Sequence, residues 1–204
     1  MLKPFSQACI NNRDFILEHL RVLLNDNDLV LEIGSGTGQH AVYFSQKLPH
    51  VIWQASDLAE NHEGILAWIN DGATENCMPP LVVNVMDDVW LPKKSPQKVN
   101  VIFTANTLHI MSWECVTHFF KKAHSALQPK GYVVTYGPFN YNGDYTSESN
   151  ERFDQFLKAS NMEKGIRDIE KLNKLALDHY LQPIADHPMP ANNRLLVWQY
   201  QPNE

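Results

Sequence analysis

The stretch that decides the fold is Leu29-Val30-Leu31-Glu32-Ile33-Gly34-Ser35-Gly36-Thr37-Gly38-Gln39-His40. Its apolar beginning predicts a short buried strand, and residues 41–48 have the composition of a helix. Three glycines at alternate positions join the two. A strand, a glycine turn and a helix in this order direct free backbone N–H groups towards a polar ligand. The alternative is an ordinary turn between a strand and a helix.

The spacing of the glycines narrows the class of ligand. A dinucleotide-binding turn needs G-x-G-x-x-G, and Gln39 stands where the third glycine or alanine is expected. No lysine follows the glycines, which excludes a phosphate-binding Walker loop. The pattern Glu32-x-Gly34-x-Gly36-x-Gly38 instead resembles the first motif of class I S-adenosylmethionine-dependent methyltransferases. The resemblance implies that this loop, Ser35 included, packs against the methionine part of the cofactor and that the acid helps to organise the amino group.

The composition is that of a globular protein, with 44% hydrophobic and 20% charged residues. A net charge of −6 argues against a general affinity for nucleic acid or membrane surfaces. Cys9, Cys77 and Cys115 form no C-x-x-C pair and fit free thiols in a reducing compartment. The first residues lack the apolar core of a signal peptide, so we expect a cytoplasmic location.

Apolar patterns divide the remaining chain into alternating helices and strands. Helices are predicted at residues 11–24, 60–69, 113–127, 149–160 and 169–179, and strands at residues 51–57, 80–85, 99–105, 132–138, 180–185 and 194–200. The alternation predicts right-handed βαβ crossovers and a parallel sheet. The short connection at residues 187–193 predicts an antiparallel final pair. Residues 128–131 are predicted to be a turn, and residues 139–147 a loop at the ligand-binding edge.

Further motifs are similar to those of the small domain-of-unknown-function family that contains methyltransferase-like protein twenty-six. They are Gly34–His40, Asn106-x-x-His109-Ile110, Gly137-Pro138-Phe139-x-x-Asn142-Gly143, Ser147-x-Ser149-Asn150, Gly165-Ile166-Arg167-Asp168 and Met189-Pro190-Ala191-Asn192-Asn193. The similarity implies a single α/β domain over residues 1–204 with a Rossmann-like class I methyltransferase fold. That fold has a seven-stranded, mostly parallel sheet in the order 3-2-1-4-5-7-6, with the last strand antiparallel and helices on both faces. It also implies S-adenosylmethionine as cofactor and S-adenosylhomocysteine as product, without naming the acceptor.

Several residues are candidates for holding this cofactor. Asp57 is the strongest, because a carboxylate at the end of the strand after a glycine loop is well placed to accept both ribose hydroxyls. Its alternative role is the N-cap of the helix at residues 60–69. Arg13 suits the cofactor carboxylate, or is a surface residue in a first helical turn. The resemblance assigns the adenine amino group to Asn84, where relatives carry Asp. The remaining candidates are Leu58, Val85, Asn106 and Leu108.

Two residues are candidates for acid–base chemistry. His109 follows the fourth strand and has a pKa near neutrality in water, which suits a general base. Its alternative role is a neutral, hydrogen-bonded histidine beneath the cofactor. Asp168, beside Arg167, is the second candidate, with the N-cap of the following helix as its alternative. Methyl transfer from a sulfonium depends mainly on positioning and needs a base only for a protonated acceptor, so no metal is expected.

The acceptor is expected to lie against a different set of side chains. An aromatic wall, which would also attract a sulfonium cation, is predicted from Tyr136, Phe139, Tyr141 and Tyr145, although these residues equally suit the core and a loop. Arg167, Asn192 and Asn193 are further substrate candidates. The sequence therefore predicts a methyltransferase acting on a small molecule. The alternative is a cofactor-binding regulatory or interaction module without turnover.

Overall fold

The computed structural model describes residues 3–72, 74–92 and 98–202. The chain divides between Phe103 and Thr104 into two compact units, a first unit (residues 1–103) and a second unit (residues 104–204). The prediction of a single domain over the whole chain is not tested by this division and stays a prediction.

Helices and strands alternate along both units. The first unit contains α1 (Gln7–Leu23), β1 (Leu29–Ile33), α2 (Gln39–Lys47), β2 (Ile52–Asp57), a 3₁₀ turn (Ala59–Asn61), α3 (His62–Gly72) and β3 (Cys77–Val82). Strand β4 (Val99–Ala105) leads into the second unit, which continues with α4 (Trp113–Ala126), β5 (Leu127–Gly137), β6 (Phe139–Asn140), α5 (Glu148–Ser160), β7 (Arg167–Asp168), α6 (Ile169–Leu177), β8 (Leu181–Met189), a 3₁₀ turn (Pro190–Asn192) and β9 (Asn193–Tyr200).

Seven strands form one sheet in the order β3-β2-β1-β4-β5-β9-β8. Strand β1 is parallel to β2 and β4, and β2 is parallel to β3. Strand β9 is antiparallel to both β5 and β8. The short strands β6 and β7 form a separate parallel pair. With that pair set aside, the order is the predicted 3-2-1-4-5-7-6 with an antiparallel last strand, and the prediction is confirmed.

The glycine turn fixes the start of α2 against α3. Gly38 precedes the helix with a φ of +87°, a conformation that side chains with a Cβ rarely adopt. A Cβ at Gly38 would stand 2.9 Å from the Cα of Ile65 in α3. The third glycine of the turn is therefore required by backbone conformation and by close packing together.

An aromatic cluster fills the core of the first unit. Phe44 of α2, Trp53 of β2 and Phe103 of β4 are fully buried. Their ring centroids lie 5.1 to 5.6 Å apart in tilted and edge-to-face arrangements, which aromatic pairs prefer.

The core of the second unit is built in a similar way. Phe119 and Phe120 of α4 are buried, and the ring of Phe120 lies 5.2 Å from Trp198 of β9. The indole N–H of Trp198 donates to Asn173 Oδ1 of α6 at 2.9 Å, so the polar atom of this buried ring is satisfied.

Among the described residues, no helix has both the length and the apolar character needed to cross a lipid bilayer.

Several predicted element boundaries were wrong. Strand β3 spans Cys77–Val82 rather than residues 80–85, because an edge strand tolerates the prolines that were taken as its start. The predicted turn at residues 128–131 lies inside β5, where Lys130 takes a φ of +67° within an extended segment. Residues 139–147 begin with the short strand β6, and α1 begins at Gln7 instead of residue 11.

We predict that Gly38→Ala lowers the free energy of unfolding by about 3 kcal/mol, because it adds a left-handed backbone strain to an overpacked contact. Urea unfolding followed by circular dichroism measures the loss.

Gly143→Ala is the matched control for this variant. Gly143 has nearly the same φ, +84°, but no atom lies within 4 Å of its added Cβ. Backbone strain alone should cost about 1 kcal/mol there. Equal losses in the two variants would contradict the contact between the turn and α3.

Candidate functional site

The carboxyl group of Glu32 lies buried beneath the glycine loop of the first unit. Its side chain is 2% exposed, and Oε2 accepts hydrogen bonds from Ser35 Oγ at 2.9 Å and from Trp53 Nε1 at 3.0 Å. Burial raises the pKa of Glu32 to about 7, although both hydrogen bonds favour the charged form. The group can therefore change its charge near neutral pH.

Hydrogen bonds connect the loop to the neighbouring strand β2. The backbone N–H of Ser35 donates to Ser56 O at 2.9 Å, and the N–H of Ser56 donates to Ser35 Oγ at 3.1 Å. The hydroxyl of Ser56 in turn donates to Glu32 O at 2.5 Å. These bonds fix the entry to the glycine loop without any ligand.

Asp57, at the end of β2, holds the next part of the loop. Its Oδ2 accepts from Gly36 N at 2.7 Å, and its Oδ1 accepts from Leu58 N at 2.7 Å and Asn61 Nδ2 at 2.8 Å. These donors all precede α3, and the N-cap of the 3₁₀ turn is Leu58 and not Asp57. The structure thus brings together Glu32, Ser35, Gly36 and Asp57, as the sequence predicted for cofactor residues.

Open space adjoins this loop at Gly36. With a φ of +57°, Gly36 has no atom within 4 Å of the position a Cβ would take. A cavity of about 410 Å³ is lined by Gly36 and Thr37 of the loop, by Asn61 of the 3₁₀ turn and by Gly64 of α3. A ligand can therefore approach the backbone at this point.

Two buried nitrogen atoms near the start of the chain lack hydrogen-bond partners within the described ranges. They are Nε of Arg13 and Nε2 of Gln39. Arg13 lies inside α1 and not in its first turn, because the helix begins at Gln7. Its guanidinium carbon is 4.3 Å from the centre of the Tyr43 ring. A buried donor without a partner is costly and suits an anionic group of a ligand.

Asn84 and Val85, two of the cofactor candidates, lie after β3 and not in it, and Leu58 follows β2. Asn84 is exposed, and its Oδ1 already accepts from Met86 N at 3.0 Å. Val85 is buried, whereas the side chain of Leu58 is 39% exposed. The assignment of Asn84 to the third strand was wrong, and its contact with adenine stays a prediction.

In the second unit, His109 is a buried imidazole. It is 5% exposed, and neither ring nitrogen has a hydrogen-bond partner in the part of the chain that the structure describes. The ring of Phe153 lies 5.3 Å away in an edge-to-face arrangement. Burial, followed by the positive charge of Arg167, lowers the pKa of His109 to about 4. The imidazole is therefore neutral at physiological pH, and it is less basic than a histidine in water.

The backbone around His109 is close to β5. Asn106 has a φ of +59°, and its N–H donates to Tyr136 O at 2.8 Å. A Cβ at Gly137 would meet His109 Nδ1 at 3.5 Å and Asn106 Oδ1 at 3.8 Å. The side chain of Leu108 is buried. Asn106, His109 and Gly137 therefore belong to one cluster, as the motifs quoted for the family resemblance suggested.

Arg167 and Asp168 both form hydrogen bonds with backbone groups of the second unit. Arg167 donates to the backbone carbonyl groups of Leu108, Met111 and Glu163. Oδ1 of Asp168 caps α6 by accepting from Lys171 N at 3.3 Å, and Oδ2 accepts from Gly143 N at 2.7 Å. Asp168 therefore takes the capping role given as its alternative, and its carboxylate is committed to the backbone.

Phe139 and Arg167 are paired in β6 and β7, and the other candidates for the acceptor lie in the core or have partners in loops. Tyr136 and Phe139 are buried, as the core alternative predicts. The hydroxyl of Tyr141 donates to Asp186 Oδ2 at 2.7 Å. Asn192 O accepts from Asn150 Nδ2 at 3.1 Å, and Asn193 Nδ2 donates to Pro190 O at 3.0 Å. These hydrogen bonds stabilise the loops in which the residues lie. A role for the residues in binding the methyl acceptor stays a prediction.

Sequence reasoning missed several residues of these clusters. Trp53 and Ser56 join Glu32 through strand pairing, and Asn12 Oδ1 lies 2.7 Å from Nε2 of the buried His40. Phe153 of α5 packs on His109, and Asn140 Oδ1 is buried without a partner among the described residues. The alternation of β2 gave a weak signal for Trp53. The other contacts join residues far apart in sequence, which no local pattern indicates.

Comparison with solved structures identifies the fold. The chain is similar to an O-methyltransferase family protein from Burkholderia thailandensis, with a TM-score of 0.82 and 14% identity over 97% of this chain and 57% of that chain. Human N-acetylserotonin methyltransferase in complex with S-adenosylmethionine gives a TM-score of 0.77 and 12% identity over 96% and 53%. An O-methyltransferase family 2 protein from Planctomyces limnophilus in complex with apigenin gives 0.72 and 16% over 92% and 61%.

These similarities show a Rossmann-like methyltransferase fold. The chain spans between one half and two thirds of the length of the structures named here. The model of the family described as Protein of unknown function (DUF938) matches residues 3–200, and the chain belongs to that family.

Proposed function

We propose that this protein is an S-adenosylmethionine-dependent methyltransferase that acts on a small-molecule acceptor. The observation that carries the proposal is the glycine loop of the first unit. It has a buried acid in β1, a second acid at the end of β2, and open space beside Gly36. Backbone N–H groups and two carboxyl groups at such a loop suit a ligand with an ammonium group and a ribose.

The residues of the first unit fit this cofactor. The unpaired Nε of Arg13 suits its carboxylate, and the loop above Glu32 suits its amino group. Asp57 can accept from ribose hydroxyls with oxygens that also hold Gly36 and Leu58. Leu58, Asn84 and Val85 are proposed for the adenine. Asn106 and Leu108 of the second unit are proposed as further cofactor residues on the family resemblance alone.

The chain's own residues would supply positioning and proton transfer. Bound S-adenosylmethionine would supply a methyl group on a positively charged sulfur as the electrophile. His109, neutral above a pKa of about 4, can take the acceptor's proton at a ring nitrogen that no described residue occupies. Asn140 Oδ1 can accept a hydrogen bond from a donor on the acceptor.

A small acceptor is supported by two observations. The net charge of −6 does not favour nucleic acid, and one structural neighbour was solved with apigenin. The specific resemblance to the group containing methyltransferase-like protein twenty-six and a cytoplasmic location belong to the proposal as well. A cofactor-binding module without turnover is the second candidate, favoured by the exposed, uncharged Asn84 at the adenine position.

We predict that the wild-type chain binds S-adenosylmethionine and S-adenosylhomocysteine with micromolar affinity, and that Gly36→Ala weakens both at least about tenfold. The added methyl group enters the open space where the ligand would approach the loop. Isothermal titration calorimetry measures both affinities.

Gly143→Ala is again the control, since it adds a similar backbone strain in open space without touching the loop. Its affinity should equal that of the wild type. Absence of binding by the wild-type chain would refute the methyltransferase proposal, and unchanged affinity in Gly36→Ala would remove the loop from the cofactor site.

Cofactor affinity should depend on the ionisation of Glu32. The pKa of Glu32 is about 7, and an α-amino group stays cationic below its own pKa of about 7.7–8.0. Protonation of Glu32 should therefore weaken binding by about tenfold as the pH falls from 7 to 5.5. Calorimetric titrations across this interval measure the change.

Glu32→Gln separates this effect from other titrating groups. The amide oxygen can still accept from Ser35 and Trp53, so the loop keeps its support. The variant should bind weakly and lose most of the pH dependence between 5.5 and 7. An equally steep dependence in the variant would assign the effect to another residue.

We predict that His109→Gln leaves cofactor affinity within twofold of the wild type and lowers turnover by about 10²–10⁴, the usual contribution of a general base. Transfer of label from methyl-labelled cofactor to fractionated metabolites identifies the acceptor and measures the rate. The wild-type rate should fall at low pH, as His109 becomes protonated near pH 4. A wild-type chain that binds the cofactor and labels no acceptor would favour the module instead.

A further inference from the structure

The side chain of Arg167 connects three backbone carbonyl groups in the second unit. Its Nε donates to Leu108 O at 3.0 Å, and Nη2 donates to Met111 O and, at 2.9 Å, to Glu163 O. The guanidinium group is planar and its N–H groups have fixed directions, so it can hold several acceptors in one arrangement. Two of these acceptors lie on either side of His109.

A further hydrogen bond holds the backbone of His109 itself. The N–H of Gly165 donates to His109 O at 2.9 Å. Carbonyl groups of residues 108, 109 and 111 therefore all accept from the short segment 165–167. This segment is itself fixed, because the N–H of Ile166 donates to Asp154 Oδ1 at 2.7 Å.

The charges around His109 give Arg167 a second effect. Its positive charge disfavours protonation of the imidazole. Asp154 of α5 acts electrostatically on Arg167 and is paired with Lys158 and with the hydroxyl of Tyr145. Phe153 of α5 and Gly137 of β5, which also face the imidazole, carry no charge. Arg167 is therefore the charge that acts most directly on His109 among the described residues.

We propose that Arg167 is a positioning residue for His109, which holds the backbone on both sides of the imidazole. The proposal rests on the proposed function, in which His109 is the general base. It gives Arg167 a role other than that of the substrate residue predicted from the sequence, because its Nε and Nη2 already donate to three backbone carbonyl groups.

Two variants separate the geometric role from the electrostatic one. Arg167→Lys keeps the positive charge and loses the planar fork, whereas Arg167→Met loses both. NMR of isotope-labelled histidine follows the titration of His109, and amide hydrogen exchange follows Gly165 and residues 108–111. Neither measurement needs an acceptor or a bound cofactor.

We expect amide exchange at Gly165 to become at least about tenfold faster in both variants, because the loop is held more loosely. The pKa of His109 should rise by about one in Arg167→Met and stay near the wild-type value in Arg167→Lys. Once an acceptor is known, both variants should lower kcat more than they raise KM. Unchanged exchange and an unchanged His109 titration in both variants would overturn the proposal.

Arg194→Met is the matched control. Arg194 is also partly buried and hydrogen-bonded, to Asp186, in the same unit. Its replacement should alter neither the exchange of residues 108–111 nor the titration of His109; if it alters both as strongly as Arg167→Met, the role of Arg167 is general stabilisation and the proposal fails. Failure of the wild-type chain to bind S-adenosylmethionine would refute the proposed function, while the NMR result would still decide the role of Arg167.

Discussion

The first unit depends on how the carboxyl group of Glu32 is satisfied inside the protein. A buried acid is tolerated only where donors reach it, and Ser35 and Trp53 supply them from the glycine loop and from β2. Ser35 also accepts from the backbone of Ser56, and Ser56 returns a hydrogen bond to the backbone of Glu32. The conformation of the loop is thus set by hydrogen bonds within the unit. A ligand that binds there meets an arrangement that costs little to order.

In the second unit, a positively charged side chain satisfies buried polar groups, as the acid does in the first. The loop that carries His109 is held by donors directed at its carbonyl groups, from Arg167 and from Gly165. In the first unit, one carboxyl group accepts hydrogen bonds from two parts of the chain. In the second unit, one guanidinium group donates hydrogen bonds to two parts of the chain. Both arrangements hold residues that follow a sheet strand. Each also places a titratable group in an environment that moves its pKa, upwards for Glu32 and downwards for His109.

The sequence predicted what local chemistry determines. The glycine turn and the alternation of helices and strands were sufficient for a mostly parallel sheet, because each depends on residues close together in the chain, and the order of the strands followed from the family resemblance. The strand before Asn84 was misplaced because β3 is an edge strand, where proline is allowed. The partners of Arg167 lie 56 and 59 residues away as well as nearby. No pattern within the motif around Arg167 distinguishes a residue that binds backbone carbonyl groups from one that binds a substrate.

His109 bears on the choice between an enzyme and a binding module. The imidazole is 5% exposed, and its ring nitrogens have no hydrogen-bond partner among the described residues. Burial and the charge of Arg167 hold the ring neutral, so one ring nitrogen is left to accept a hydrogen bond. A module that only binds the cofactor through the first unit has no use for this nitrogen. Methyl transfer to a protonated acceptor does have a use for it, and this reasoning favours the enzyme.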